Sequence, residues 1–178
     1  MIKSSLLGLL STLLITFNTY AGVEDFKPGP VFENYGTHVP VPGVTISADE
    51  TFKIAFDVNA GAKEGKVNRG FERLTRFINM HVASGAKLEN IDVAMVVSGP
   101  ATSEILSNTE FKKLKGRNNP NTELLQLLID KGARILVCGQ SAVAHDFLPN
   151  MFEKGVEVEL SNMTAHAHLA KQGYTLIP

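Results

Sequence analysis

The stretch Ala133-Arg-Ile-Leu-Val-Cys138-Gly-Gln-Ser141 decides the fold, because it sets the only cysteine of the chain between an apolar run and a helix start. Residues 135–137 are typical of a buried strand, and Gly139 then interrupts the run. Ser141 is a good N-cap residue and predicts a helix over 142–148. Cys138 should therefore lie where a strand ends and a helix begins, the edge at which open parallel sheets bind ligands.

This position leaves two interpretations of the thiol open. The positive end of a helix dipole favours a thiolate over a thiol, which predicts a reactive Cys138. An unpaired cysteine is also commonly a small buried residue that completes a core strand. Reactivity further requires that the sulfur lie in a shallow crevice that a second molecule can reach.

The rest of the chain alternates between strand and helix patterns. The other strands are predicted over 52–58, 92–97, 156–160 and 174–177, with Asn68, Asn121 and Ser161 as candidate helix N-caps. The strict alternation over 156–160 indicates a strand near the sheet edge. With right-handed crossovers, this order predicts an α/β fold in three layers, a mostly parallel five-stranded sheet covered by helices on both faces.

The first 21 residues have the form of a cleavable signal peptide. Lys3 precedes an apolar stretch over 6–17, and Thr19-Tyr-Ala21 resembles a cleavage site. The apolar stretch is short for a bilayer span, and no cysteine near Ala21 could carry a lipid anchor. Cleavage predicts a periplasmic or secreted protein with no stable membrane anchor.

Residues 22–50 form an extended arm rich in proline and glycine, which precedes the regular α/β domain over 51–178. Stretches such as Lys27-Pro-Gly-Pro30 and Val39-Pro-Val-Pro-Gly43 exclude a helix. The arm is more apolar than a solvated tail, so we expect it to pack on the domain or on a neighbouring subunit.

The composition argues against a nucleic-acid partner and excludes an internal disulfide. The chain has 17 basic and 18 acidic residues and a formal net charge of −1, which gives no electrostatic footprint for nucleic acid. An exported chain with one cysteine forms no internal disulfide, so the thiol is buried, paired with another molecule, or reactive.

Motifs for a cofactor or a metal are weak. The segment 59–65 has two glycines but neither the dinucleotide fingerprint nor the G-x-x-x-x-G-K-[ST] spacing, so neither a nucleotide nor a phosphate site is expected there. His166 and His168 lie two apart on a predicted helix and point about 200° away from each other, a poor geometry for one metal. No cofactor and no metal are predicted.

Partners for a catalytic nucleophile are also weak. His145 lies about two helical turns beyond Cys138, which makes a Cys/His pair a minor hypothesis. Ser98 and Ser141 lack the G-x-S-x-G elbow of serine hydrolases.

A set of short motifs is spread over nearly the whole chain after Ala21. They are Gly29-Pro-Val-Phe, Tyr35-Gly, Val41-Pro, Val97-Ser-Gly-Pro-Ala101, Asn119-Pro-Asn121, Val137-Cys-Gly-Gln-Ser-Ala142, Leu160-Ser-Asn-Met-Thr164 and Gln172-Gly-Tyr-Thr-Leu-Ile-Pro178. Together they resemble the exported branch of the DsrE/DsrF-like family. The resemblance implies a flavodoxin-like α/β fold of the YchN type, assembled into homotrimers or homohexamers.

The resemblance also implies a chemistry for Cys138. In the sulfur-relay members of that family, a cysteine at the matching position carries sulfur as a persulfide, and small residues and an Arg-Gly pair follow it. Here Ala142-Val-Ala144 keeps the small residues, but His145-Asp146 stands in place of the basic pair.

The leading hypothesis is a sulfurtransferase-like carrier that takes sulfur from a donor and passes it to an acceptor protein through a persulfide on Cys138. The expected pocket wall consists of Gly139, Gln140, Ser141, Ser98, Gly99, Pro100 and Asn59. Two alternatives remain: a non-catalytic homo-oligomeric module that binds a small ligand or a partner, and a thiol redox sensor.

Overall fold

All five expected strands join one sheet in which every pair of neighbours is parallel. In the computed structural model, which describes residue 22 and residues 25–178, the strand order is β4-β3-β2-β1-β5. The strands are β1 Phe52–Val58, β2 Ile91–Val97, β3 Arg134–Cys138, β4 Val156–Glu159 and β5 Thr175–Ile177. The expected signal peptide and its cleavage site lie outside the described residues.

Five α-helices connect or follow these strands. They are α1 Arg69–Ala83, α2 Asn108–Lys115, α3 Thr122–Asp130, α4 Gly139–Ala144 and α5 Asn162–Lys171. Short 3₁₀ helices occupy Leu88–Asn90, Gly99–Ile105 and Pro149–Met151. No helix in this part of the chain is both long and apolar enough to cross a membrane.

The strand order distributes the helices unequally between the two faces of the sheet. The chain steps from β1 to β4 in one direction, so right-handed crossovers leave α1 to α4 on one face. The return from β4 to β5 puts α5 on the other face, where Ala165 and Leu169 pack over Ala94, Val96 and Leu136. The three-layer α/β fold is confirmed, with a single helix as its second outer layer.

The edge position expected for the alternating strand is confirmed. β4 pairs with β3 alone, with Cys138 opposite Glu159. Val156 packs against the larger core, whereas Glu157 lies on the same face as α5 and binds Arg134 at 2.7 Å. A charged row on this strand is tolerated because one helix covers that face incompletely.

The N-terminal arm packs on its own domain through one buried amide. Asn79 on α1 accepts hydrogen bonds at Oδ1 from the backbone N–H groups of Val31, at 3.1 Å, and Phe32, at 2.9 Å. Its Nδ2 donates to the carbonyl oxygens of Phe32, Tyr35 and Gly36. Phe32 is thereby fixed in the core, where it is 2% exposed.

Two of the expected helix caps form the predicted bonds. Asn68 Oδ1 accepts from the backbone N–H of Gly70 at the start of α1, at 2.7 Å. Ser161 Oγ accepts from the backbone N–H of Thr164 at the start of α5, at 3.1 Å. Asn121 does precede α3, but its Oδ1 accepts from the backbone N–H of Asn68 instead.

The helix after the cysteine differs from the prediction. It begins at Gly139, so Cys138 itself is the N-cap residue and Ser141 lies within the first turn. Glycine allows this early start, because a Cβ at Gly139 would lie 2.6 Å from the carbonyl oxygen of Glu159. The helix ends at Ala144 rather than at 148, since Asp146 adopts a left-handed φ of 57° that cannot continue it.

Candidate functional site

Cys138 lies at the carboxyl edge of the sheet, the edge at which all the parallel strands end. From β3 the chain leaves into α4 on one face, and from the adjacent β4 it leaves into α5 on the other face. Neighbouring strands whose connections diverge in this way leave a crevice between them, which is the usual ligand-binding position in open α/β sheets. The strand-to-helix position predicted for Cys138 is confirmed.

Four polar groups beside the Cys138 sulfur favour its charged form. They are the hydroxyl of Ser141 and the backbone N–H groups of Ser141, Asn162 and Gln140. Burial raises the pKa of the Cys138 thiol, but these groups favour the thiolate more strongly, so the net pKa lies below its ordinary value. The sulfur therefore occupies a position built to hold negative charge.

Ser141 is the residue that orients this arrangement. Its Oγ accepts a hydrogen bond from the backbone N–H of Gly99, at 3.0 Å, and its hydroxyl, beside the sulfur, helps to lower the pKa of Cys138. The bond from Gly99 fixes the side-chain rotamer and leaves the hydroxyl free to donate. The turn after β2 thus supports the thiol through Ser141.

The sulfur is less accessible than the reactive-thiol hypothesis requires. Cys138 is 4% exposed in the single chain, which contradicts the expectation of a crevice that a second molecule can reach. The start of α5 lies beside the sulfur, because the backbone N–H of Asn162 is among the groups that lower its pKa. Burial under polar donors differs from burial in hydrocarbon, since these donors stabilise the charged form.

The other expected pocket residues take different positions. Gln140 contributes its N–H to the sulfur and donates from Nε2 to the carbonyl of Leu160 at 3.4 Å. Ser98 is 7% exposed and uses its N–H to bond the Val58 carbonyl, at 3.1 Å. Its role is therefore to join β2 to β1.

Pro100 and Asn59 line cavities that do not include Cys138. Pro100 lines a separate cavity of about 420 Å³ with Phe111 and Arg117. Asn59 donates from Nδ2 to Asp57 Oδ2 at 3.2 Å and lines a further cavity beside β1. The structure therefore brings together Gly139, Gln140, Ser141 and Gly99 around Cys138, and separates Pro100 and Asn59 from them.

Asn162 is the donor that sequence reasoning missed. It follows the N-cap Ser161 at the start of α5, and α5 itself follows the strand next to β3. A helix that starts at the same sheet edge as the cysteine could have indicated a group near the thiol. That prediction requires the pairing of β4 with β3, which the sequence does not specify.

A family model agrees with this geometry. The model for the DsrE/DsrF-like family matches residues 53–178, which include every strand residue but the first. The chain belongs to the DsrE/DsrF-like family.

Two solved structures are similar to this DsrE/DsrF-like chain, and one of them supports the fold. A protein of unknown function, MTH1491 from Methanobacterium thermoautotrophicum, is similar with a TM-score of 0.54 and 14% identity, over 71% of this chain and 97% of that one. The ychN protein from E. coli has a TM-score of 0.49 and 16% identity, over 71% and 97%. No curated protein sequence matches the chain. At these identities the likeness to MTH1491 shows the fold alone.

The histidines of the DsrE/DsrF-like domain lie apart from the thiol. His145, which stands in place of the basic pair of the relay members, stacks on Phe147 at a centroid distance of 5.6 Å. His166 Nε2 lies 3.1 Å from Asp57, and His168 Nδ1 lies 3.1 Å from Glu159. The last two pairs are on opposite sides of α5, as their helical spacing predicted.

Proposed function

We propose that this protein carries sulfane sulfur as a persulfide on Cys138. The observation that carries the proposal is the position of the sole thiol of the chain at the carboxyl edge of the sheet, beside polar groups that lower its pKa. Thiolates, not thiols, attack sulfur, so a site that lowers the thiol pKa raises the thiolate fraction and favours this reaction. Membership of the DsrE/DsrF-like family, associated with sulfur relay, supports it.

The transfer consists of two exchange steps. The Cys138 thiolate attacks the outer sulfur of a persulfide or polysulfide donor, so that a new S–S bond forms, the donor S–S bond breaks and the donor leaves as a thiolate. An acceptor thiolate then attacks the outer sulfur on Cys138, which restores the Cys138 thiolate. Neither step has a net oxidant or reductant. Incubation of the purified protein with polysulfide, followed by mass spectrometry, tests the first step.

Access to the sulfur requires movement of the segment 160–163. The backbone N–H of Asn162 lies beside the sulfur and helps to lower its pKa, and the Leu160 carbonyl is held by the Gln140 side chain at 3.4 Å. Both contacts lie near a helix end, where opening costs little free energy. A small donor such as polysulfide needs a smaller opening than a protein partner.

The burial of Cys138 specifically favours one alternative, a non-catalytic module that binds a ligand or a partner. In such a module, Cys138→Ser leaves binding and phenotype unchanged, whereas a sulfur carrier loses its function. A thiol redox sensor is a third hypothesis, in which non-reducing electrophoresis of freshly extracted protein shows an intermolecular disulfide.

We infer that the protein forms homo-oligomers through the surface beside the thiol site. Three apolar side chains there are largely exposed: Val143 at 75%, Leu160 at 70% and Met163 at 75%. Leu160 and Met163 flank Asn162, and Val143 lies one turn after Gln140. Large exposed apolar side chains beside one site are typical of an interface, and a homotrimer or homohexamer accounts for them.

Replacement of Met163 by glutamate should shift the assembly to monomers, because a desolvated carboxylate at an apolar interface is strongly unfavourable. Light scattering after size-exclusion chromatography measures the mass. Leu114→Glu is the matched control, since Leu114 is 49% exposed on α2 and should leave the mass unchanged. A monomeric wild-type protein, or an unchanged Met163→Glu assembly, would contradict the inference.

We also propose that the chain is exported and cleaved after Ala21. The support is the order of a basic residue, an apolar stretch and a small-residue cleavage site. Expression in a bacterial host with an intact secretion system should yield protein in the periplasm or medium whose N-terminal residue is Gly22. Retention of Met1 in cytoplasmic protein would exclude this localisation.

A further inference from the structure

A cavity of about 920 Å³ opens at the carboxyl edge of the sheet beside β1. β1 is two strands away from β3, and neighbouring strands are about 4.8 Å apart, so the cavity lies roughly 10 Å across the sheet from Cys138. Its walls are the loop after β1 and the first turn of α1. A cavity of this volume holds a small organic molecule.

Positive charge dominates the lining of this cavity. The lining contains five basic side chains and two acidic ones, namely Lys63, Lys66, Arg69, Arg73 and Arg76 against Asp57 and Glu72. The chain as a whole has a net charge of −1, so this concentration of positive charge is local. A concave surface with charge of one sign attracts ligands of the opposite sign.

One of the two carboxylates is already engaged by neighbouring side chains. Asp57 lies 3.1 Å from His166 Nε2 at one oxygen and accepts a hydrogen bond from Asn59 Nδ2 at the other, at 3.2 Å. These contacts occupy both carboxylate oxygens of Asp57, so other groups of the lining must hold a ligand.

Three of the basic side chains remain available to a ligand. Arg73 donates to the Pro178 carbonyl oxygen at 2.7 Å and Arg76 to that of Thr37 at 3.1 Å. Within the described residues, no carboxylate lies within ion-pair distance of Lys63, Lys66 or Arg69. The three cations border the same cavity.

The dipole of α1 adds a smaller positive contribution to the electrostatic potential in the cavity. Arg69 and Gly70 begin α1, a helix of 15 residues, and both line the cavity. The positive end of the helix dipole therefore faces the same space. Apolar side chains, Val58 and Val67, line the remainder and suit an organic body attached to the charged group.

We propose that this cavity binds a small organic anion that carries a phosphate-type oxyanion group. The loop over 59–65 lacks the glycine spacing of nucleotide-binding loops, so recognition uses side-chain cations and favours a small anion over a nucleoside polyphosphate. The inference does not depend on sulfur chemistry at Cys138, because the two sites share no residue.

Calorimetric titration of the purified protein at low salt tests the site with inorganic phosphate and with glycerol 3-phosphate. Both should bind saturably at one site per chain, with glycerol 3-phosphate the tighter and neutral glycerol silent. The double variant Lys66→Gln, Arg69→Gln should bind about a hundredfold more weakly, since each lost charged hydrogen bond costs about tenfold in affinity. Both residues are exposed, so the fold should tolerate the change.

The matched control is Lys87→Gln, Lys131→Gln, which removes the same charge at the opposite edge of the sheet. It should change the affinity by less than about twofold, because distant surface charges are screened. Equal weakening in both double variants, or no saturable binding of either phosphate probe by the wild type, would overturn the proposal. Lys63→Gln offers a second variant should the first fail to fold.

Discussion

Incubation with polysulfide near neutral pH adds the mass of one sulfur atom to the wild-type protein and none to Cys138→Ser. The loss is complete because Cys138 is the only cysteine of the chain, so no second thiol can accept the sulfur. Serine is close in size and can keep the hydrogen bonds that surround the sulfur, whereas its hydroxyl does not attack sulfane sulfur at this pH. Peptide mapping should place the added mass on residue 138.

The unfolded wild-type chain is the control for this experiment. It contains the same thiol without the bonds from Ser141, Asn162 and Gln140, so its pKa returns to about 8.5 and less thiolate is present at neutral pH. Removal of the added mass by a small thiol would show that the sulfur is transferable. A native protein that gains no mass while the unfolded chain does would show that burial blocks the reaction, and would leave the binding module as the better hypothesis.

Replacement of Ser141 by alanine should raise the pKa of Cys138, because the Ser141 hydroxyl is the largest of the contributions that lower it. The sign follows from the thiolate: the Ser141 hydroxyl stabilises the charged form, and its loss disfavours that form. The rate of alkylation against pH measures the shift as a midpoint that moves upward. At pH 7 the alkylation rate should fall about threefold. The smaller fraction of thiolate lowers the rate, and the higher nucleophilicity of a more basic thiolate offsets part of that loss.

Two further variants distinguish the effect of losing the Ser141 hydroxyl from a general loss of structure. Ser141→Thr keeps the hydroxyl and should keep the midpoint near that of the wild type. Ser103→Ala removes a hydroxyl from the exposed side of the 3₁₀ helix Gly99–Ile105 and should change nothing at the sulfur. An Ser141→Ala midpoint equal to that of the wild type would mean that the backbone donors alone set the pKa.

The fold follows from local patterns that the sequence displays directly. The apolar run before Cys138 forms β3, and the alternation of valine and glutamate forms the edge strand β4. The caps at Asn68 and Ser161 depend on contacts within four residues, and both form as predicted. The order of the strands depends on contacts far apart in sequence, and no local pattern specifies it.

The sequence predicts where the candidate site lies in the fold, but not which residues form it. Ser141 has the chemistry of a helix cap, yet the helix starts two residues earlier because Gly139 approaches the Glu159 carbonyl. This approach joins β3 to β4 and is invisible in the local sequence. The same pairing places Asn162 on the sulfur and accounts for the burial of Cys138, which the sequence left open.

Because α5 alone covers the second face of the sheet, the thiol is covered late during folding of the chain. Residue 162 follows every other donor along the polypeptide, so a chain that emerges from its N-terminus completes β3 well before the last N–H reaches the sulfur. During that interval the thiol is uncovered and less acidic, and it is open to oxidation or premature capture by other thiols. A chaperone or a reductant that acts on the nascent chain would protect it at this stage, and docking of the final helix would end the need for either.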